Sequence, residues 1–247
     1  MKKYTSVFNV ITRSSIYKIL AVLLVMSVLE VGFYMQQMNE MLENYEVVRE
    51  QIAEEEQVEA EEIVFSAWGE YYISSESSVV EQNPIITIED MFLFSHTTKI
   101  FTIAFVAISI LLCLTGCNFG SRQDYTWKRL QVSEKSVFFV QTFYNAMMML
   151  LFIAVQVILA YGLCRYYVNV VSEGVTNQSI FLAFYRSTFL HSILPLESTL
   201  KWITNILLMI AMGFVTAIFP YRQRHGKISW KIVFMIYLLR PADLICA

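Results

Sequence analysis

The residues in this sequence able to do chemistry fall into three groups. The first is Glu30, which interrupts an apolar run between the uncharged stretches Ile19–Leu29 and Val31–Met35. A carboxylate at membrane depth is a candidate for proton or cation handling; the competing reading puts Glu30 near enough to the outer headgroups to be hydrated or neutralised. The second is Gln141, Asn145 and Gln156, which share one helical face with Met149 and Phe152 between them. Amides in a span either face neighbouring helices and bond across them or line a path for a polar solute. The third is Tyr125, Trp127, Lys128, Arg129 and Leu130, a cationic and aromatic cluster of about two turns. Ser121 and Asp124 could cap its start; Ser133, with Glu134 in the first turn and Val132 and Val137 as a hydrophobic staple, could cap the helix that follows. Such a short amphipathic helix either docks on a partner or lies as a connector on lipid headgroups.

Other reactive side chains build no pattern. Cys113 and Cys117 stand at i, i+4 inside an apolar run and read as small buried residues. Cys164 and Cys246 are isolated, and His96, His191 and His225 lie in separate segments, so no metal site is visible. Paired intramembrane aspartates, His–Glu metal spacing and a Ser–His arrangement are all missing; only Glu30 and Arg240 are left to an intramembrane enzyme. No G-x-x-x-x-G-K-[ST] phosphate loop occurs, so ATP hydrolysis would have to come from another chain.

The elements that must position these residues are membrane helices. The chain is 56% hydrophobic and only 16% charged, against roughly 25% in soluble domains. Its net charge of −3 hides a strong segregation. Lys2, Lys3, Arg13 and Lys18 stand without an acid in residues 1–18; residues 36–98 are acidic, with Arg49 as the single base; Arg222, Arg224, Lys227 and Lys231 fill 221–231. Basic blocks beside apolar runs read as topology signals, not as a nucleic-acid footprint. The expected fold is an all-α polytopic membrane protein with four to five transmembrane helices and a large acidic extracytoplasmic loop.

In chain order, residues 1–35 hold a basic helix with Tyr4, Val7, Phe8 and Ile11 on one face, then a first span at about Ile16–Met35. The long basic region and the lack of a small-x-small site disfavour a cleaved signal peptide. Residues 36–98 form the acidic loop: a helix continues from the span and frays around Glu54–Glu62, and Ile63–Trp68 and Pro84–Ile88 can add short strands or turns. Residues 99–164 hold span two (Ile100–Cys117), a cytoplasmic insert at 118–136 and a long third span (Val137–Cys164). In 165–200, Ile180–Leu196 is interrupted by Arg186, His191 and Pro195 and reads as an interfacial or re-entrant helix, with Tyr185 and Arg186 at headgroup depth. Residues 201–247 hold span four (Trp202–Pro220), the basic loop 221–231 and, over Ser229–Ala247, either a fifth span or a surface segment. Twelve of the eighteen Lys and Arg then fall in the segments assigned to the cytoplasm, 1–18, 118–136 and 221–231. The expected location is the cell membrane, multi-pass, with the N-terminus cytoplasmic.

This layout resembles a bacterial ABC transporter permease subunit of the ABC-2 type. The resemblance rests on the basic amphipathic N-terminal helix, the large loop between spans one and two, the insert Thr126–Gln141 (TWKRLQVSEKSVFFVQ) and the long span after it. The insert follows the family's order of an apolar-basic helix, a Leu-x-Val-Ser step and a new span. Asp124-Tyr125-Thr126 stands where the family often has Gly-Thr, and Gln131 where it has Pro. The resemblance implies that Tyr125, Trp127, Lys128, Arg129 and Leu130 form a coupling helix seated in a groove of a separate ATP-binding subunit. It also implies ATP and Mg on that partner and no cofactor in this chain, a homodimer or a pair with a second permease, contact with membrane lipid, and export of a cargo. The chemically different alternative is a membrane receptor or signalling anchor whose acidic loop is the sensor; its short cytoplasmic segments would have to signal through a partner.

Overall fold

The computed structural model describes residues 2–56, 63–66, 71–73, 76–80, 87–115, 117, 133–171, 175–176, 180–196 and 198–225. Helix α1 runs unbroken over Lys2–Glu56. Strands β1 (Ile63–Ser66), β2 (Tyr71–Ile73) and β3 (Glu76–Val80) follow, then α2 (Ile88–Phe94) and α3 (Thr97–Thr115). Helix α4 covers Glu134–Val171, followed by β4 (Val175–Thr176), α5 (Ile180–Arg186), α6 (Thr188–Ile193) and α7 (Thr199–Arg224). The second half of the possible span Ser229–Ala247, like the rest of it, lies outside the described residues.

Among the described residues, four stretches are long and apolar enough to cross a membrane: Ser15–Asn44 within α1, and α3, α4 and α7. The chain is a multi-pass membrane protein. At about 1.5 Å per residue α4 extends roughly 57 Å and α1 roughly 82 Å, well beyond a hydrocarbon core of about 30 Å. In hydrocarbon each hydroxyl must find a partner close by, and here the helix backbone supplies it. Ser15 donates to the Ile11 carbonyl, Ser27 to Leu23, Ser109 to Phe105 and Thr115 to Leu111, all at 2.7–2.9 Å.

The chain divides into two compact units, with the divisions falling inside α1 and α4. One unit comprises residues 1–27, 99–157 and 198–247. Its part of α1 buries Val7, Ile11, Ser15, Ile19, Leu23 and Met26, a three-to-four residue repeat that makes a single stripe. Phe101 and Phe105 of α3 close on Phe152 of α4, with ring centroids at 5.0 and 6.0 Å. Phe138 of α4 meets Phe214 and Tyr221 of α7 at 5.5 and 5.1 Å.

The other unit comprises residues 28–98 and 158–197. Glu30, Tyr34, Met38 and Met41 form its buried stripe on α1. A four-stranded sheet runs β3-β2-β1-β4, with β1 antiparallel to β2, β2 antiparallel to β3, and β1 parallel to β4. Phe65 pairs with Val175 and Ser66 with Thr176. The segment after α1 and the segment after α4 therefore lie on the same side of any membrane the helices cross. Of the expected strand or turn at Pro84–Ile88, residues 84–86 lie outside the described residues, and Thr87 and Ile88 begin a helix: the Thr87 hydroxyl accepts from the Asp90 N–H at 3.3 Å, and Glu89 and Asp90 occupy the first turn. Within Ile180–Leu196 the chain forms two short helices in place of one, because Ser187 caps α6 through the Leu190 N–H. Neither is long enough to cross a membrane.

Helices α2 and α3 are separated only by Ser95 and His96. His96 has φ 57°, the left-handed region that L side chains rarely adopt, and it is exposed. The Ser95 and Thr97 hydroxyls bond each other at 2.8 Å and fix the corner. His96→Gly should stabilise the protein by up to about 1 kcal/mol, since relief of the left-handed strain outweighs the added freedom of the unfolded chain. Thermal unfolding in one detergent checks this; a lower midpoint would mean that the His96 side chain makes a stabilising contact.

Candidate functional site

The amide face of α4 is its buried face. Gln141, Asn145, Met149, Phe152 and Gln156 are each at most 1% exposed. Two of the amides reach α7. Asn145 Nδ2 donates to Thr216 Oγ1 at 3.0 Å, and that hydroxyl lies 2.9 Å from the Met212 carbonyl. Arg224 Nη2 donates to Gln141 Oε1 at 3.3 Å, and Arg224 Nε to the Pro220 carbonyl at 3.2 Å. Asn145 also sits beside the tightest point of the unit: a Cβ built on Gly213 would stand 2.5–2.8 Å from the backbone N, Cα and Cβ of Ala146. Only glycine lets α7 come this close to α4, and the closeness brings Thr216 within reach of Asn145.

Ser15 of α1 and Tyr144 of α4 share a buried hydrogen bond of 2.7 Å, with the Phe8 ring edge-on to Tyr144 at 5.7 Å. Gln156 is fully buried in the same unit; Glu30 is fully buried in the other. There, Glu89 has its carboxyl pushed up by burial, opposed by the Arg186 guanidinium and reinforced by Asp90.

The insert is described at its two ends. Tyr125, Trp127, Lys128, Arg129 and Leu130 lie outside the described residues, as do Ser121 and Asp124. Ser133 caps α4, its hydroxyl accepting from the Ser136 N–H at 3.3 Å. Glu134, in the first turn, meets His225 at the end of α7, with Oε2 2.8 Å from Nε2. At the other end Cys117 is buried, and its thiol is pushed up to about 11 by burial, with the Arg224 guanidinium pulling the other way. A thiol of that kind is protonated and unreactive at neutral pH. Its Sγ donates to the Cys113 carbonyl at 3.2 Å, so the two cysteines act as helix-packing residues here. The last turn of α7 therefore meets the start of α4, through His225 and Glu134.

Thr216, Arg224, His225 and Gly213 were not singled out as site residues from sequence, where Arg222 and Arg224 counted only as topology charges. The signal is the spacing of Thr216 and Arg224 at i and i+8, which puts the two polar side chains on one face of α7. Compared with protein-family models, with curated proteins and with solved structures, the chain matches none.

Proposed function

We propose that this chain is the transmembrane permease subunit of an ATP-driven exporter, worked by a separate ATP-binding subunit that docks on the insert 118–132. The observation that carries the reading is the insert itself: an aromatic, cationic segment between two membrane helices, followed by Glu134, which meets His225 at the end of α7. In this reading a push on the insert passes to α4 and, through Glu134 and His225, to α7. Without a phosphate loop of its own, the chain must receive that push from a nucleotide-hydrolysing partner. The N-terminus, the insert and the basic loop 221–231 face the cytoplasm in this reading, where the excess of Lys and Arg belongs. The acidic segment and the sheet face outward. Gln141 and Asn145 act as interhelical ties between α4 and α7, and Glu30 and Gln156 are the remaining candidates for the cargo path between two permease copies.

Affinity purification of the tagged chain from native membranes in mild detergent tests the reading. An ATP-binding subunit should copurify and hydrolyse ATP. Its absence, together with cation or peptide binding to the acidic outer segment, would instead support a sensor anchored in the membrane.

A further inference from the structure

His225 has an acceptor at each ring nitrogen. Nδ1 lies 2.8 Å from the Tyr221 carbonyl oxygen, one turn back on α7, and Nε2 lies 2.8 Å from Glu134 Oε2 on α4. A neutral imidazole carries one N–H and can satisfy only one of these; the imidazolium carries two and satisfies both. The alternative is a protonated Glu134 that donates to the ring. Beside it stands the Arg224 guanidinium, which interacts electrostatically with Glu134. Among the described residues, the other groups near the ring do not compete for its second proton. The Tyr221 ring lies 4.6 Å from the imidazole, Arg224 donates from Nε to Pro220 and from Nη2 to Gln141, the Ser133 and Ser136 hydroxyls bond each other at 2.8 Å, and the Cys117 thiol is neutral. Lys135, next to Glu134, and Arg222, on the same turn of α7, are exposed cations that face solvent.

We infer that Glu134 and His225 form a proton-dependent clasp between the start of α4 and the end of α7, closed when His225 carries both protons and released when it loses one. The clasp sits where the insert joins α4. Under the reading of the insert as the docking element, it sets how firmly a push there is passed on to α7, and so makes coupling depend on the pH on that side of the membrane. Deprotonation removes the imidazolium charge, leaves the Glu134 carboxylate without its cation and hands one of the two exposed acceptors to water, while Arg224–Gln141 persists as a pH-independent tie. Release therefore loosens the end of α7 without unfolding it.

The test is a distance measurement on the full chain in lipid nanodiscs, with no ATPase present. Spin labels on unnatural amino acids at the exposed positions 135 and 222 leave the native cysteines in place. Measurements at about pH 5.5 and about pH 8.5 bracket the ordinary histidine range. Wild type should give a single narrow distance at the lower pH and a longer, broader distribution at the higher one. His225→Lys, a permanent cation, should stay narrow at both, and Glu134→Gln should be broad at both. A wild-type distance that ignores pH, or a Glu134→Gln variant that keeps the full response, would overturn the clasp. Neither result depends on an ATP-binding partner, so the clasp and the exporter reading fail separately: loss of the pH response with a copurifying ATPase removes the clasp alone.

Discussion

Gly213→Leu should leave almost no folded protein in the membrane. The first atom of any side chain at 213 meets the Ala146 backbone at 2.5–2.6 Å, and backbone, unlike the tip of a long side chain, cannot swing aside. The helices α4 and α7 must then part. Overpacking of this kind costs about 1–3 kcal/mol where a core can adjust and more where the obstacle is a second helix. Parting also breaks the Asn145–Thr216 hydrogen bond at 3.0 Å, three residues along α7. That leaves a fully buried amide without its partner, at about 1–3 kcal/mol further. Against a net stability of about 5–15 kcal/mol the sum is severe. Gly213→Ala should show a milder form of the same defect. Gly162→Ala is the control: it lies inside α4, as Gly213 lies inside α7, but an added Cβ meets nothing within 4 Å. It should be neutral or gain up to about 1 kcal/mol from helix propensity. Fluorescence-detected gel filtration after a heat ramp reads all three, and a Leu variant with the wild-type midpoint would mean that α4 and α7 do not cross at Gly213.

What was legible in the sequence was local. The four long apolar runs, the Ser133 cap and the shared face of Gln141, Asn145 and Gln156 follow from spacing along one helix, which a sequence displays directly. The continuity of α1 to Glu56 likewise follows from a helical repeat with no proline to interrupt it. The partners of that face were not legible, because they come from 71 and 83 residues further along the chain. No local pattern shows that Thr216 lands on Asn145 and Arg224 on Gln141. The sheet suffers from the same limit, since β1 and β4 are short and pair across the whole of α3 and α4. The start of α2 is a different case. Thr87 and Asp90 have capping spacing, but next to Pro84 and the β-branched Ile85, Ile86 and Ile88 the segment reads more readily as a strand or turn. Arg224 and His225 were visible as charges, yet a charge count gives the side of a membrane and not the neighbour.

The second large effect concerns the insert. Trp127→Ala combined with Leu130→Ala should abolish association with an ATP-binding subunit. The two residues stand three apart on the short helix the sequence suggests, and would share the face that enters a partner's groove. Loss of a buried Trp anchor costs about 2–4 kcal/mol in a protein interface, which at about 1.4 kcal/mol per tenfold weakens binding by roughly 30-fold to several hundred-fold before the Leu is counted. Lys128→Ala, the removal of a single charge, should weaken association far less and make it less sensitive to salt. The described α4–α7 ties and sheet pairings are made by other residues, and the double variant should insert and resist heat as wild type does.

Copurification of the ATP-binding subunit with wild type and with the Trp127→Ala, Leu130→Ala variant, at equal yields of inserted chain, tests the central claim most directly. A stoichiometric partner is expected on wild type and none on the variant. Undiminished partner on the variant, with wild-type stimulation of ATP hydrolysis, would contradict it.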